Sequence, residues 1–416
     1  MSSTNPASAD SQPPKDYNNP SPSCLYRPGL LSGAPIQLDP SSLRPHPSAP
    51  FGIFTGQLYP DAPADELVEQ RGGKKGIVAV KVVEDDRTRV PRDGRREARL
   101  LARLNREGGH PNVLALLNAY LTPPSPNSPT SSRSTLFTPY YPHSLRSLIS
   151  SPTFVPSPDS TAFETFTLSL AYQLFSALSF LHSHGIAHRD VSPNNVVLSQ
   201  DGRAVLIDFG VAVAVEPEEA EQGEEDREKE GEMHFEVGTG PYRAPELVFG
   251  SHSYFPSAID LWALGCTLAE LFTPFSTPSP PSPPSSDGGW GRFRDEPAEE
   301  EGPRRKTLFE GGHSDFALAG SIFRVLGTPT VESWPEAAHL PSFSRFTFAS
   351  FPPTPLQDHL PHLLPSSALL PVLEGLLRYS AAERTSAESA LEKLEAGVRE
   401  QGGEVALPPG VRDRGT

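Results

Sequence analysis

His188-Arg189-Asp190-Val191-Ser192-Pro193-Asn194-Asn195 is followed, in order, by Asp208-Phe209-Gly210 and by Ala244-Pro245-Glu246. Taken singly, an aspartate or asparagine is most often a turn former or a solvated side chain. As an ordered set these residues are the parts that phosphoryl transfer from ATP requires. Asp190 could accept a hydroxyl proton, and Asn195 and Asp208 are oxygen ligands for Mg²⁺ bridging the phosphates. Upstream, Val78-Ala79-Val80-Lys81 places a cation on an apolar run, and Glu97 lies sixteen residues further on in a stretch of helical spacing.

The set resembles the protein kinase family, and the resemblance covers roughly residues 50–400. It implies an α+β, bilobal protein kinase fold, a small β-rich N-lobe on a larger helical C-lobe, with ATP in the cleft. It gives catalytic roles to Lys81, Glu97, Asp190, Asn195 and Asp208, with Asn195 and Asp208 as the metal ligands. ATP contacts are expected at Lys81, Ala79, Leu58, Gly56, Pro139, Tyr141 and Val197, and a substrate platform at Thr239 and Arg243. Lys81 would hold the α and β phosphates once Glu97 fixes its ammonium. Ala79 and Val197 would sandwich the adenine, whose edge would pair with the Pro139 carbonyl and the Tyr141 N–H. Thr239 would bond the catalytic aspartate and leave room for a serine or threonine side chain. Glu246 would pair with Arg384, and Asp260-Leu261-Trp262 with Gly265 would brace the catalytic loop.

Two positions depart from the family pattern. The best match to a glycine-rich phosphate loop is Phe51-Gly52-Ile53-Phe54-Thr55-Gly56-Gln57-Leu58-Tyr59, in which only Gly56 falls in register. Side chains there would keep the backbone from the phosphates. The lysine usual two residues after the catalytic aspartate is Ser192. An inactive pseudokinase scaffold, presenting its acidic and Pro/Ser segments to partners, therefore stands as an alternative to an enzyme.

At 416 residues the chain exceeds one ordinary core, which suits two lobes. Residues 1–48 read as a disordered Pro/Ser-rich tail, 49–400 as the kinase domain (N-lobe about 49–141, C-lobe about 142–400), and 401–416 as a C-terminal tail. Low-complexity insertions are expected at 122–134, 216–232 and 276–305. Ile77–Val83, Leu114–Leu121 and Thr135–Tyr141 read as strands. Arg95–Arg106 and most of the chain beyond Thr165 read as helices. Of the net charge of −16, half comes from residues 216–232, where ten acids face Arg227 and Lys229. That balance argues against nucleic acid as a main partner. With only Cys24 and Cys266, no disulfide framework is expected. No apolar run of membrane-spanning length and no signal-like N-terminus is present, so we expect a cytoplasmic or nuclear protein without membrane contact.

Three segments narrow the resemblance to the cyclin-dependent kinase group. They are Val90-Pro91-Arg92-Asp93-Gly94-Arg95-Arg96-Glu97, the platform Gly238-Thr239-Gly240-Pro241-Tyr242-Arg243, and the insert Ile322-Phe323-Arg324-Val325-Leu326-Gly327-Thr328-Pro329 with Trp334-Pro335-Glu336. Together they are similar to the single-subunit CDK-activating kinases of fungi. This implies a monomer that phosphorylates the activation loop of cyclin-dependent kinases. A conventional cyclin-dependent or MAP-type kinase is the other enzyme reading. Arg92, Asp93, Arg95 and Arg96 would make the cyclin-contacting face charged, so no cyclin is expected. From Val211 to Val237 there is no Ser, Thr or Tyr, so Glu236 or a nearby acid is expected to pair with Arg189 in place of a phosphate. The alternative is an acidic stretch that is merely solvated, with Arg189 bonding only backbone.

Overall fold

A computed structural model describes residues 36–46, 52–60, 62–85, 91–122, 132–215, 228, 231–276, 304–311 and 314–411. Strands Arg44–Pro45 (β1), Ile53–Gln57 (β2), Ile77–Asp85 (β3), Asn118–Thr122 (β4) and Ser132–Pro139 (β5) form an antiparallel sheet in the order β1-β2-β3-β5-β4. The β-branched run Ile77–Val83 supplies its central strand, where pleated packing favours such residues.

Register sorts the side chains between two faces. Phe54 lies opposite Val80 and Gly56 opposite Val78, while Ile53 lies opposite Lys81 and Thr55 opposite Ala79. Phe54, Leu58, Val78, Val80 and Phe137 form the outer face, buried with Ile36, Leu38 and two residues of helix Pro63–Gln70 (α1), Ala64 and Val68. α1 is not among the elements expected from the sequence. Lys81, Ala79, Leu136 and Thr138 share the other face, which looks onto the cleft and onto helix Gly94–Arg106 (α2). Asp93 caps α2 through the N–H groups of Arg95 (2.8 Å) and Arg96 (3.1 Å). Ala98, Leu101 and Leu104 bury its inner stripe.

The second half is helical. Thr161–Ser183, Pro256–Ala269, Asp315–Leu326, Leu369–Leu376 and Ala387–Glu400 pack around one apolar core that includes Leu178, Trp262, Leu264 and Leu373. Each fully buried leucine there stabilises the fold by about 1.5–3 kcal/mol. Gly265 lets Pro256–Ala269 approach its neighbour, since a Cβ would stand 3.0 Å from Leu377 Cδ2. Glu246 and Arg384 form a bidentate pair (2.6 and 2.7 Å), with the Arg384 guanidinium 5.1 Å from the Trp262 ring centroid.

Several expected boundaries move. The tail expected over 1–48 ends earlier, because Ile36 and Leu38 are fully buried and β1 begins at Arg44. Of it, 1–35 and 47–48 lie outside the described residues, Cys24 among them; Cys266 is a free, buried thiol. The insertion expected over 122–134 gives up Ser132 and Ser134 to β5, where both are buried. That expected over 276–305 is closed by a short ladder of Phe275–Ser276 with Arg304–Arg305. The C-terminal tail is docked as far as Val405 and Val411, which are buried. The strand expected from Leu114 starts at Asn118, after Leu117 N–H has crossed to the Phe137 carbonyl (2.8 Å).

Candidate active site

The loop between Ile186–Ala187 and Val196–Leu198 carries the candidate base. Arg189 and Asp208 both hold φ of 64°, the left-handed region that side chains rarely adopt. Fully buried Asp260 over-determines the first: its Oδ1 accepts Arg189 N–H (2.6 Å) and its Oδ2 accepts His188 N–H (2.8 Å). Asp190 is thereby presented with both oxygens engaged. Oδ1 accepts from Thr239 Oγ1 (2.6 Å) and Oδ2 from Asn195 Nδ2 (3.0 Å), which also reaches the Asp190 carbonyl (2.8 Å). Burial pushes the Asp190 carboxyl above its ordinary value, partly offset by the Thr239 hydrogen bond. A carboxylate raised in this way is a better proton acceptor.

Across the cleft, Lys81 Nζ donates to Glu97 (2.8 and 2.7 Å) and to Asp208 Oδ1 (2.6 Å). Glu97 also accepts Phe209 N–H (3.2 Å), which ties α2 to the segment that carries Asp208. Burial alone would disfavour the charged forms. The two carboxylates nonetheless raise the Lys81 pKa, and Lys81 with Arg92 holds Asp208 well below the usual carboxylate range. Both groups are charged at neutral pH. With Asn195 Nδ2 committed to Asp190, its amide oxygen is what remains to offer a cation. That oxygen and the Asp208 carboxylate are hard donors of the kind Mg²⁺ takes, so the residues fit the ion.

The expected ATP contacts divide. Lys81 and Ala79 sit on the cleft face of β3, and Val197 lies on Val196–Leu198 below. Gly56 and Leu58 do not join them. Gly56 is mid-strand on the outer face, where a Cβ would meet Leu38 Cδ1 at 2.6 Å, and Leu58 is buried in the outer core beside it. The missing side chain at Gly56 makes room for Leu38, not for a phosphate. The connection from β1 to β2 spans residues 46–52, and 47–51, including Phe51, lie outside the described residues. Pro139 ends β5 opposite Val78. Tyr141 is buried, its hydroxyl donating to the Arg71 carbonyl (2.9 Å), so only its backbone is available to the cleft. Ile53, Thr55 and Thr138, which are not among the expected ATP contacts, share the face of Lys81 and Ala79. Alternation along β2 would have found them once its register against β3 was known.

Beyond Asp208 the segment is organised by charge. Glu228 Oε2 and Oε1 accept from Arg189 Nη1 (2.6 Å) and Nη2 (2.7 Å), and Oε1 lies 3.3 Å from Arg96 Nη1. Arg189 is fully buried and Glu228 is 7% exposed. Arg189 also bonds the Val211 carbonyl through Nε (2.7 Å), so backbone and acid share it. Burial would raise the Glu228 pKa, yet the bonds from Arg189 hold it below its ordinary value. Glu236, singled out by its sequence proximity to the platform, is exposed and does not make this pair.

The charges at the start of α2 also differ from the expected solvent-facing surface. Arg92 reaches Asp208, Asp93 caps the helix, Arg95 bonds Ser132 and Arg96 joins Glu228. Most of that charge is spent within the chain. Arg243 is likewise not open to a substrate. Its guanidinium binds the carbonyls of Val237 (3.2 Å) and Phe235 (3.0 Å) and pairs with Asp315, bracing the segment from below.

The family described as "Protein kinase domain" matches residues 69–394. Cyclin-dependent kinase 7 of Carassius auratus is 30% identical over 328 residues, covering 78% of this chain and 76% of that protein. Serine/threonine-protein kinase csk1 of Schizosaccharomyces pombe is 33% identical over 234 residues, covering 53% of this chain and 64% of that protein. Among solved structures, the yeast RNA Pol II CTD kinase CTDK-1 complex aligns with a TM-score of 0.57 at 22% identity, over 84% of this chain and 91% of that chain, a likeness of fold. Relatives named as cyclin-dependent kinases lend no support to the expected independence from a cyclin. No helix among the described residues is long and apolar enough to cross a membrane. The chain belongs to the protein kinase family, with serine/threonine kinases of the cyclin-dependent group as its relatives.

Proposed function

We propose that this chain transfers the γ-phosphate of ATP to serine or threonine hydroxyls of protein substrates, and that the substrates are the activation loops of cyclin-dependent kinases. The observation that carries the enzymatic part is the closed set Lys81–Glu97, Lys81–Asp208, Asn195–Asp190 and Thr239–Asp190, all within 2.6–3.0 Å. An inactive scaffold would have no physical reason to keep these side chains in mutual register. Asp190 would take the proton of the attacking hydroxyl, and Thr239 beside it suits a short alcohol. Asp208 and Asn195 would hold Mg²⁺, which when bound neutralises charge on the β and γ phosphates.

The narrower reading rests on the activation segment. Glu228 supplies two arginines with a carboxylate in a stretch that has no hydroxyl residue to phosphorylate, so activity would not await an upstream kinase. An enzyme that starts a phosphorylation cascade needs that property. The internal pairs of Arg92, Arg95 and Arg96 would also hold α2 inward without a cyclin.

The test is the purified chain alone with labelled ATP and Mg²⁺, offered monomeric cyclin-dependent kinases with and without their activation-loop threonine. Label confined to the threonine-bearing partners is expected. Label only on generic peptides, or only after a cyclin is added, would favour a conventional cyclin-dependent kinase. No transfer at all would favour the scaffold.

A further inference from the structure

The site contains a cation that the family pattern does not call for. Arg92 precedes α2 by two residues, in a turn pinned by the Asp93 cap and by Asp93 N–H donating to the Gly210 carbonyl (3.2 Å). From there Arg92 Nη1 donates to Asp208 Oδ2 (3.2 Å), and Nη2 lies 3.7 Å from Asp190 Oδ2. One guanidinium thus spans the carboxylate that would hold the metal and the one that would take the proton. The reacting phosphoryl group must pass between them. The Arg92 side chain is 55% exposed against 7% for Asp190, so it lies at the open side of the cleft and can move toward an incoming anion.

On the opposite side, the catalytic loop offers the phosphoryl group no cation: its Arg189 is buried and bound by Glu228 and the Val211 carbonyl. Ser192, two residues after Asp190, is fully buried, and its Oγ finds no hydrogen-bond partner among the described residues. Lys81, the other cation within reach, is already bound by Glu97 and Asp208. The site has a vacancy in positive charge at the loop and an unassigned guanidinium facing it.

We propose that Arg92 supplies, from the N-lobe, the positive charge on the transferred phosphoryl group that Ser192 cannot provide. This rests on the kinase reading above. In the step concerned, the substrate hydroxyl oxygen bonds to the γ-phosphorus, the bond from γ-phosphorus to the β–γ bridging oxygen breaks, and ADP leaves with that electron pair. Asp190 takes the hydroxyl proton. Charge spreads over the three equatorial oxygens as this happens, and a planar fork of N–H donors suits two of them at once. Arg92 would exchange its carboxylate partners for those oxygens.

The test is the single-turnover transfer rate at saturating ATP for the full chain and for Arg92→Ala, Arg92→Gln and Arg92→Lys, each with its thermal midpoint and KM for ATP. Removing one such donor slows related reactions by about 10²–10³-fold, and that loss is expected for Ala and Gln in the rate more than in KM. Arg92→Lys, which keeps the charge but loses the fork, is expected to fall between Gln and the parent. Thermal midpoints should stay close to the parent, since the side chain is more than half exposed. Unchanged or faster transfer in Arg92→Ala would overturn the proposal and make the arginine a plug over the metal carboxylates. Equal losses in Lys and Gln would overturn it by showing that charge is not the agent. A parent chain that transfers no phosphate would instead defeat the underlying kinase reading.

Discussion

The floor and the roof of the cleft are built in opposite ways. In the floor, the groups are held from within the packed lobe: Asp190 by half-buried Thr239 and buried Asn195, and the backbone of His188 and Arg189 together by fully buried Asp260. The roof follows the family pattern at Lys81, Ala79 and Glu97. Its glycine in register faces the wrong side of the sheet, and Arg92 enters where no cation was expected. The difference teaches where this chain has room to change. Strained backbone in the floor needs its whole surround, whereas a β-strand face tolerates substitution as long as alternation is kept.

The largest break in the comparison should come from Asp190→Asn. Losing the proton acceptor is expected to lower the transfer rate by about 10²–10⁴-fold while the thermal midpoint barely moves. Undiminished transfer would show that the floor is structural. Next in size is Asp260→Ala, which touches no reactant. It strips the acceptor from two buried N–H groups, at about 1–3 kcal/mol each, and releases Arg189 from its strained conformation. Denaturant melts should read that loss, and a stability unchanged within error would refute the bracing role.

Glu228→Gln keeps the shape and removes the charge between Arg189 and Arg96. One charged hydrogen bond is worth about 1.5–3 kcal/mol, so turnover slower by about 10- to 150-fold is expected, with Glu236→Gln close to the parent. Phosphatase treatment should leave the parent unaffected. Activity lost to phosphatase would mean that a phosphate, not Glu228, organises the segment.

The pH profile sharpens the same contrast. Asp190 is raised above the ordinary aspartate value of 3.8, chiefly by burial. Activity needs its ionised form, so kcat/KM should be full above the raised value and fall as pH drops through it. The acid limb should therefore lie higher than a solvated aspartate would give; Arg92→Ala, which removes a nearby positive charge that lowers Asp190, should move it higher still, and Gly56→Ala should leave it in place. The smallest effect on catalysis is expected from Gly56→Ala. Its Cβ would press on Leu38 in the outer core, costing about 1–3 kcal/mol of stability. KM for ATP should stay put, and a clear rise in KM would return Gly56 to the nucleotide site.

What the sequence determined by itself are the pieces whose geometry is local. His188 to Asn195 and Asp208 to Gly210 are short loops in which chain connectivity nearly fixes the relative position of the side chains. The helix carrying Glu97 could be read from its spacing. The helical half likewise followed from long apolar stripes, which leave few alternative packings. Tertiary structure alone decided the rest. Ten carboxylates in one stretch are equivalent on paper, and only the chain path brings Glu228, thirty-nine residues beyond Arg189, onto that guanidinium. Gly56 was misplaced because side chains alternate with period two, so the face it occupies depends on pairing with a strand more than twenty residues away. Arg92 and Arg96 read as charge on a cyclin-contacting face and Arg243 as part of a substrate platform, yet all three are bonded within the chain. Their direction is set by whichever buried carboxylate or carbonyl the fold brings within reach, and that is a property of the packed molecule.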